Sequence, residues 1–63
     1  MNLLSLHSPT DIQQSLADFV RARRTALKWS RDELARRSTV PAPTIKRFES
    51  TGEISLRQLL MLW

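Results

Sequence analysis

Arg31-Asp32-Glu33-Leu34-Ala35-Arg36-Arg37-Ser38-Thr39-Val40-Pro41-Ala42-Pro43-Thr44-Ile45-Lys46-Arg47-Phe48-Glu49-Ser50 reads as two short helices joined by a tight turn. Ser30, just ahead, can N-cap the first of them, and Glu33 can reach back to it, a Ser-x-x-Glu capping box. Leu34, Ala35 and Ser38 then share a face, and Ala35 is small enough to let the second helix cross closely. Pro41 and Pro43 fix where the turn ends. Proline is tolerated only in a helix's first turn and disfavours helical geometry in the residue before it. The second helix therefore starts around Ala42 or Pro43 and stops near Ser50. Within it Ile45 and Phe48 lie three apart and can bury together. A rotation of about 100° per residue leaves Pro43, Lys46, Arg47 and Ser50 on the opposite face, with both cations held out to solvent.

The flanks extend the helical reading. A longer helix begins near Ser8-Pro9 or Thr10, since both Ser8 with Asp11 and Thr10 with Gln13 satisfy capping logic. Ile12, Leu16, Val20 and Leu27 form its apolar stripe, with Phe19 alongside. It ends near Ala26 to Lys28, where cations suit a helix C-terminus. Trp29 reads as a core plug between this helix and the next. Gly52, the only glycine, stands where a helix-ending residue with positive φ is needed. Ser55 caps a fourth helix over residues 56–63, whose Leu56, Leu59, Leu60, Met61, Leu62 and Trp63 make an apolar block. Apolar area of that kind in so small a domain is rarely left unpaired. Leu59, Met61, Leu62 and Trp63 are accordingly the expected partner interface, and the natural chain is expected to be longer. Residues 1–7 read as a lead-in in which Leu3, Leu4 and Leu6 can fold back and His7 is a tail residue. The domain occupies residues 8–63.

Composition narrows the classes. Sixty-three residues make one domain at most. The absence of cysteine leaves no disulfide or thiolate-bound metal, and a lone histidine does not suit the usual zinc clusters. No apolar run approaches a membrane span, and residues 1–7 lack the build of a signal peptide, so a cytoplasmic protein is expected. Nine of the ten Lys and Arg fall between Arg21 and Arg47, opposed there by Asp32 and Glu33 alone, a local net charge of +7. Such a stretch suits phosphate contact and salt-sensitive binding. Nothing assembles a nucleophile–base–orienter set, and one glycine in the whole chain excludes a phosphate-cradling glycine loop, so an enzyme is not expected. No cofactor or metal is expected either. A short helix presenting two cations in a small basic chain is the minimum apparatus for entering a DNA major groove.

From about Leu16 to Leu60 the chain resembles the helix-turn-helix of the phage-repressor/Cro superfamily, the Xre-type regulators. The resemblance is carried by Arg24, Trp29-Ser30, Glu33-Leu34-Ala35, Ile45, Phe48-Glu49 and Ser55-Leu56, with ten residues separating Ala35 from Ile45. It departs at Thr39, where the family usually has glycine, and at Ser38, where it usually has a larger apolar residue; Val40 keeps the apolar plug that follows. The resemblance implies an all-α fold, a small bundle around a central helix-turn-helix, with four helices present and the family's fifth missing. It places Pro41, Ala42, Pro43, Lys46 and Arg47 over base edges. Lys46 and Arg47 are the donors suited to guanine, and Ala42 and Pro43 offer only apolar packing. Arg31 stands where the family often carries a phosphate-contacting glutamine, with Ser30, Ser50 and Thr51 as weaker phosphate donors. Arg24 and Glu49 are implied to form a structural ion pair. Arg36 and Arg37 read equally well as contacts or as solubilising charge.

Two functional expectations follow. The first is a sequence-specific regulator of double-stranded DNA, a homodimer on a two-fold operator that represses by blocking polymerase. Residues 48–53 with the apolar block look similar to regulators encoded beside HipA-like kinases, so its narrower form is an antitoxin that also holds such a toxin. The second is a protein-interaction module that docks through Leu56 to Trp63 and uses its basic stretch only for solubility.

Overall fold

Four helices run in order through residues 8–63, which are those the computed structural model describes: α1 Pro9–Ala26, α2 Arg31–Ser38, α3 Ala42–Thr51 and α4 Leu56–Met61. The lead-in expected over residues 1–7, with the fold-back of its leucines, lies outside the described residues. The fold is a small all-α bundle, as expected. α3 lies at its centre and packs against both α1 and α2.

Local chemistry sets the boundaries. Of the two candidate caps for α1, Ser8 is used: its Oγ accepts the Asp11 N–H at 3.2 Å, and the Asp11 carboxylate accepts the Ser8 N–H at 3.4 Å. At the other end Trp29 N–H donates to the Arg24 carbonyl and Lys28 N–H to the Thr25 carbonyl. This is a Schellman closure with Lys28 in the left-handed position (φ 59°) that glycine usually fills.

Ser30 caps α2 by accepting the Glu33 N–H at 3.0 Å. The reciprocal half of the expected capping box is absent, because the Glu33 carboxylate turns to Arg36 and Arg37. Two cations one turn further along the helix attract that charge more strongly than a neutral backbone N–H does.

The turn that follows is closed by Ser38 and Thr39. Thr39 takes the left-handed conformation (φ 65°) without being glycine. Ser38 Oγ accepts the Val40 N–H at 3.2 Å, satisfying a backbone donor that an apolar side chain would leave open. α3 starts on Pro41 with no side-chain cap and ends on Gly52 (φ 80°), whose N–H donates to the Phe48 carbonyl at 2.7 Å. Gly52 is also a crossing point. A Cβ there would lie 3.0–3.1 Å from the backbone and Cβ of Gln13 and the backbone nitrogen of Gln14 in α1. Ser55 caps α4 through the Gln58 N–H at 3.1 Å.

Ala17, Val20, Leu34, Val40, Ile45, Phe48 and Leu62 form the core, with Leu16, Trp29, Ala35, Ile54 and Leu59 packed against it. Trp29 is the expected plug, half-buried, with the Arg37 guanidinium 4.3 Å above its ring. The α1 stripe is corrected at its C-terminal end. Leu27 is exposed, since the chain leaves the helix there, and Ala17 takes an inward position that the larger residues had been expected to fill.

The terminal block also divides. Leu62 belongs to the core, which corrects its expected place in the partner interface, and Leu59, three residues earlier, is half-buried and packs against the core. Met61 and Trp63 stay exposed together with Leu56 and Leu60, and Trp63 stacks on the exposed Phe19 of α1 with ring centroids 5.5 Å apart.

Candidate functional site

The two faces of α3 part as the 3.6-residue period requires. Ile45, Phe48 and Glu49 are buried, while Pro43, Lys46, Arg47 and Ser50 are exposed. Because α3 crosses α2 near its start, the exposed face is continued by the beginning of α2. An open groove runs between them, lined by Arg24, Ser30, Arg31, Asp32, Ala42, Pro43 and Lys46. Two of the expected phosphate donors, Ser30 and Arg31, thus share a groove with three of the expected base-contacting residues. Pro41 is exposed at the N-cap of α3, next to it.

The rest of the expected set lies elsewhere. Arg47 forms an exposed ion pair with Glu53 from the loop after α3, beside a second recess lined by Thr44, Ile54, Ser55 and Gln58. The Ser50 hydroxyl donates to the Lys46 carbonyl at 3.0 Å and that of Thr51 to the Arg47 carbonyl at 2.8 Å. Thr51 Oγ1 also accepts the Glu53 N–H at 3.1 Å, so both hydroxyls serve the end of α3. Arg36 and Arg37 are engaged with Glu33, and Arg37 with the Trp29 ring as well. Both are exposed, and each has a partner within the fold.

Behind the groove the Arg24–Glu49 pair forms as the resemblance implied. Arg24 Nε donates to Glu49 Oε2 at 2.8 Å and Arg24 Nη2 to Oε1 at 3.1 Å, while Arg24 Nη1 donates to the Trp29 carbonyl at 2.8 Å. Arg31 joins them through Nε to Glu49 Oε1 at 3.0 Å. Two guanidiniums on one carboxylate leave a surplus positive charge at the wall of the groove. The arrangement can hold an anion along that wall, with Ser30 Oγ and the Lys46 ammonium as further donors.

Three participants were missed in the sequence. Arg24 lines the groove besides holding the fold together, Asp32 puts a negative charge on its rim, and Glu53 occupies Arg47. Asp32 was legible as an exposed first-turn acid of α2. Glu53 was not, because its approach to Arg47 depends on the path of the loop after Gly52.

Among the described residues no helix is long and apolar enough to cross a membrane. No family model, curated protein or solved structure matches this chain.

Proposed function

We propose that this chain is a sequence-specific regulator of double-stranded DNA of the Xre type, a cytoplasmic repressor that acts by occupying its operator as a homodimer. The observation that carries the reading is the groove in which Ser30 and Arg31 of the α2 start meet Ala42, Pro43 and Lys46 of the exposed α3 face. A helix held by a buried Ile45 and Phe48, with cations opposite, suits insertion into a major groove while the neighbouring helix start meets the backbone. Lys46 is the base-edge donor that needs no rearrangement. Arg47 reads a guanine after exchanging Glu53 for the base, and Pro41, Ala42 and Pro43 contribute apolar contact with thymine methyls or sugars. The protein needs no cofactor or metal for this and catalyses nothing. In its narrower form it represses its own operon as an antitoxin and holds a HipA-like kinase.

Selection of bound duplexes from a random pool tests the reading. A shared sequence should emerge, and its affinity should fall about 100-fold or more between roughly 50 and 200 mM salt if about four phosphates are contacted. A pool that stays random, with no salt-dependent binding, refutes it. The exposed Phe19, Leu56, Leu60 and Trp63 favour the alternative, a protein-interaction module, in that outcome.

A further inference from the structure

Glu49 and Glu33 are each shared by two arginines, but the Glu49 side chain is 1% exposed and that of Glu33 is 32% exposed. The two-pronged contact from Arg24 already neutralises and fixes the Glu49 carboxylate. The third bond, from Arg31 Nε, is therefore not needed to compensate a buried charge, and a pair with one partner 39% exposed adds little stability. Its effect is on direction. A guanidinium is a rigid planar fork, so anchoring Nε sets where Nη1 and Nη2 point. Neither terminal nitrogen has a hydrogen-bond partner among the described residues, and Arg31 lines the groove with Ser30 and Lys46.

We infer that Glu49 is a positioning residue, which holds Arg31 by Nε so that its two terminal amino groups clamp one backbone phosphate at the α2 wall of the groove. The inference rests on the duplex-binding reading and gives it a specific anchor. A carboxylate that reaches Arg24 in α1 and Arg31 in α2 from α3 makes the anchor depend on all three helices being in place. Lysine at position 31 would keep the charge and lose the fork, so its single ammonium would serve Glu49 or a phosphate but not hold both in fixed geometry.

The test compares the full chain with Arg31→Lys and Glu49→Gln for binding to the selected duplex and to an unrelated one, alongside thermal melting. Arg31→Lys should melt as the parent does, keep the same slope of affinity against salt, and bind both duplexes about tenfold more weakly, the loss of one charge-assisted hydrogen bond. In Glu49→Gln, if it folds, Arg31→Lys should add no further loss, because the two changes disable one clamp. Nitrogen-15 NMR gives a readout free of that condition. The Arg31 Nε–H signal should keep its position when duplex is added while its Nη–H signals sharpen and shift. Parent-like binding by Arg31→Lys, additive losses, or Nη–H signals indifferent to duplex overturns the inference and leaves the regulator reading standing. Failure of the parent chain to bind any duplex removes both.

Discussion

Glu49→Ala is the most demanding perturbation of this fold. It removes three hydrogen bonds of 2.8 to 3.1 Å, two from Arg24 and one from Arg31. The Arg24 side chain, 10% exposed, would then keep only its bond to the Trp29 carbonyl and stay buried without a counter-charge. Stripping one partner from a buried pair costs about 3–5 kcal/mol. A 63-residue chain has roughly 3–9 kcal/mol of total stability at about 0.05–0.15 kcal/mol per residue. The variant is therefore expected to be largely unfolded, or close to it, at room temperature. Arg24→Ala should cost a similar amount, and Arg31→Ala less than about 1 kcal/mol, because the Arg31 side chain is 39% exposed and Arg24 still compensates Glu49. Replacing both members of the buried pair, Arg24→Met with Glu49→Leu, should recover much of the loss, since no orphaned charge remains. Urea denaturation followed by far-ultraviolet circular dichroism and tryptophan fluorescence measures all four. A Glu49→Ala loss below about 1 kcal/mol, or an equal loss from Arg31→Ala, would refute the account of the ion triad.

Three further outcomes are expected. Gly52→Ala should destabilise by about 2–4 kcal/mol, combining left-handed strain with a Cβ pressed against the backbone of α1, and chemical denaturation checks it. Lys28→Gly should raise stability by up to about 1 kcal/mol by relieving the left-handed lysine of the Schellman closure, seen as a higher melting temperature with duplex binding little changed. Glu53→Gln should release Arg47 and remove a negative charge beside it, tightening binding to unrelated duplexes roughly two- to fivefold while stability moves by less than about 0.5 kcal/mol; unchanged affinity would show that Arg47 takes no part.

Ile45 and Phe48 could be placed inward from their spacing alone, because a helix between a proline-fixed start and a glycine-fixed end has only one register to adopt. Ser30 and Gly52 were likewise legible as boundary residues, since capping and left-handed turns act within a few residues, whereas Ser38 and Thr39 stood out only as departures from the resemblance. Longer-range choices were not legible. Six arginines and lysines lie between Arg24 and Lys46, and nothing in their order says that Arg31 joins Arg24 on Glu49 while Arg36 and Arg37 divide Glu33. Those pairings depend on the angle at which α3 crosses its neighbours. The apolar block after Ser55 was ambiguous for a similar reason: every position is apolar, so periodicity does not reveal that Leu59 and Leu62 turn inward. The missing side of Leu27 came from the same limit, since a stripe extrapolated along α1 runs past the point where the Schellman closure ends the helix.

The crossing at Gly52 carries a consequence for how the groove meets a ligand. A Cβ at Gly52 would press to 3.0–3.1 Å against Gln13 and Gln14, so the end of α3 lies close against α1 and the two rods have little freedom to shift there. Arg24 on one rod and Lys46 on the other, which line the same groove, are therefore carried on backbones held at a set spacing. The backbone spacing is set when the chain folds, so only the side chains would remain to be ordered around an anion. On the proposed duplex-binding reading, a gauge of this kind would reward a duplex that already has the right width and penalise one that must be deformed to fit.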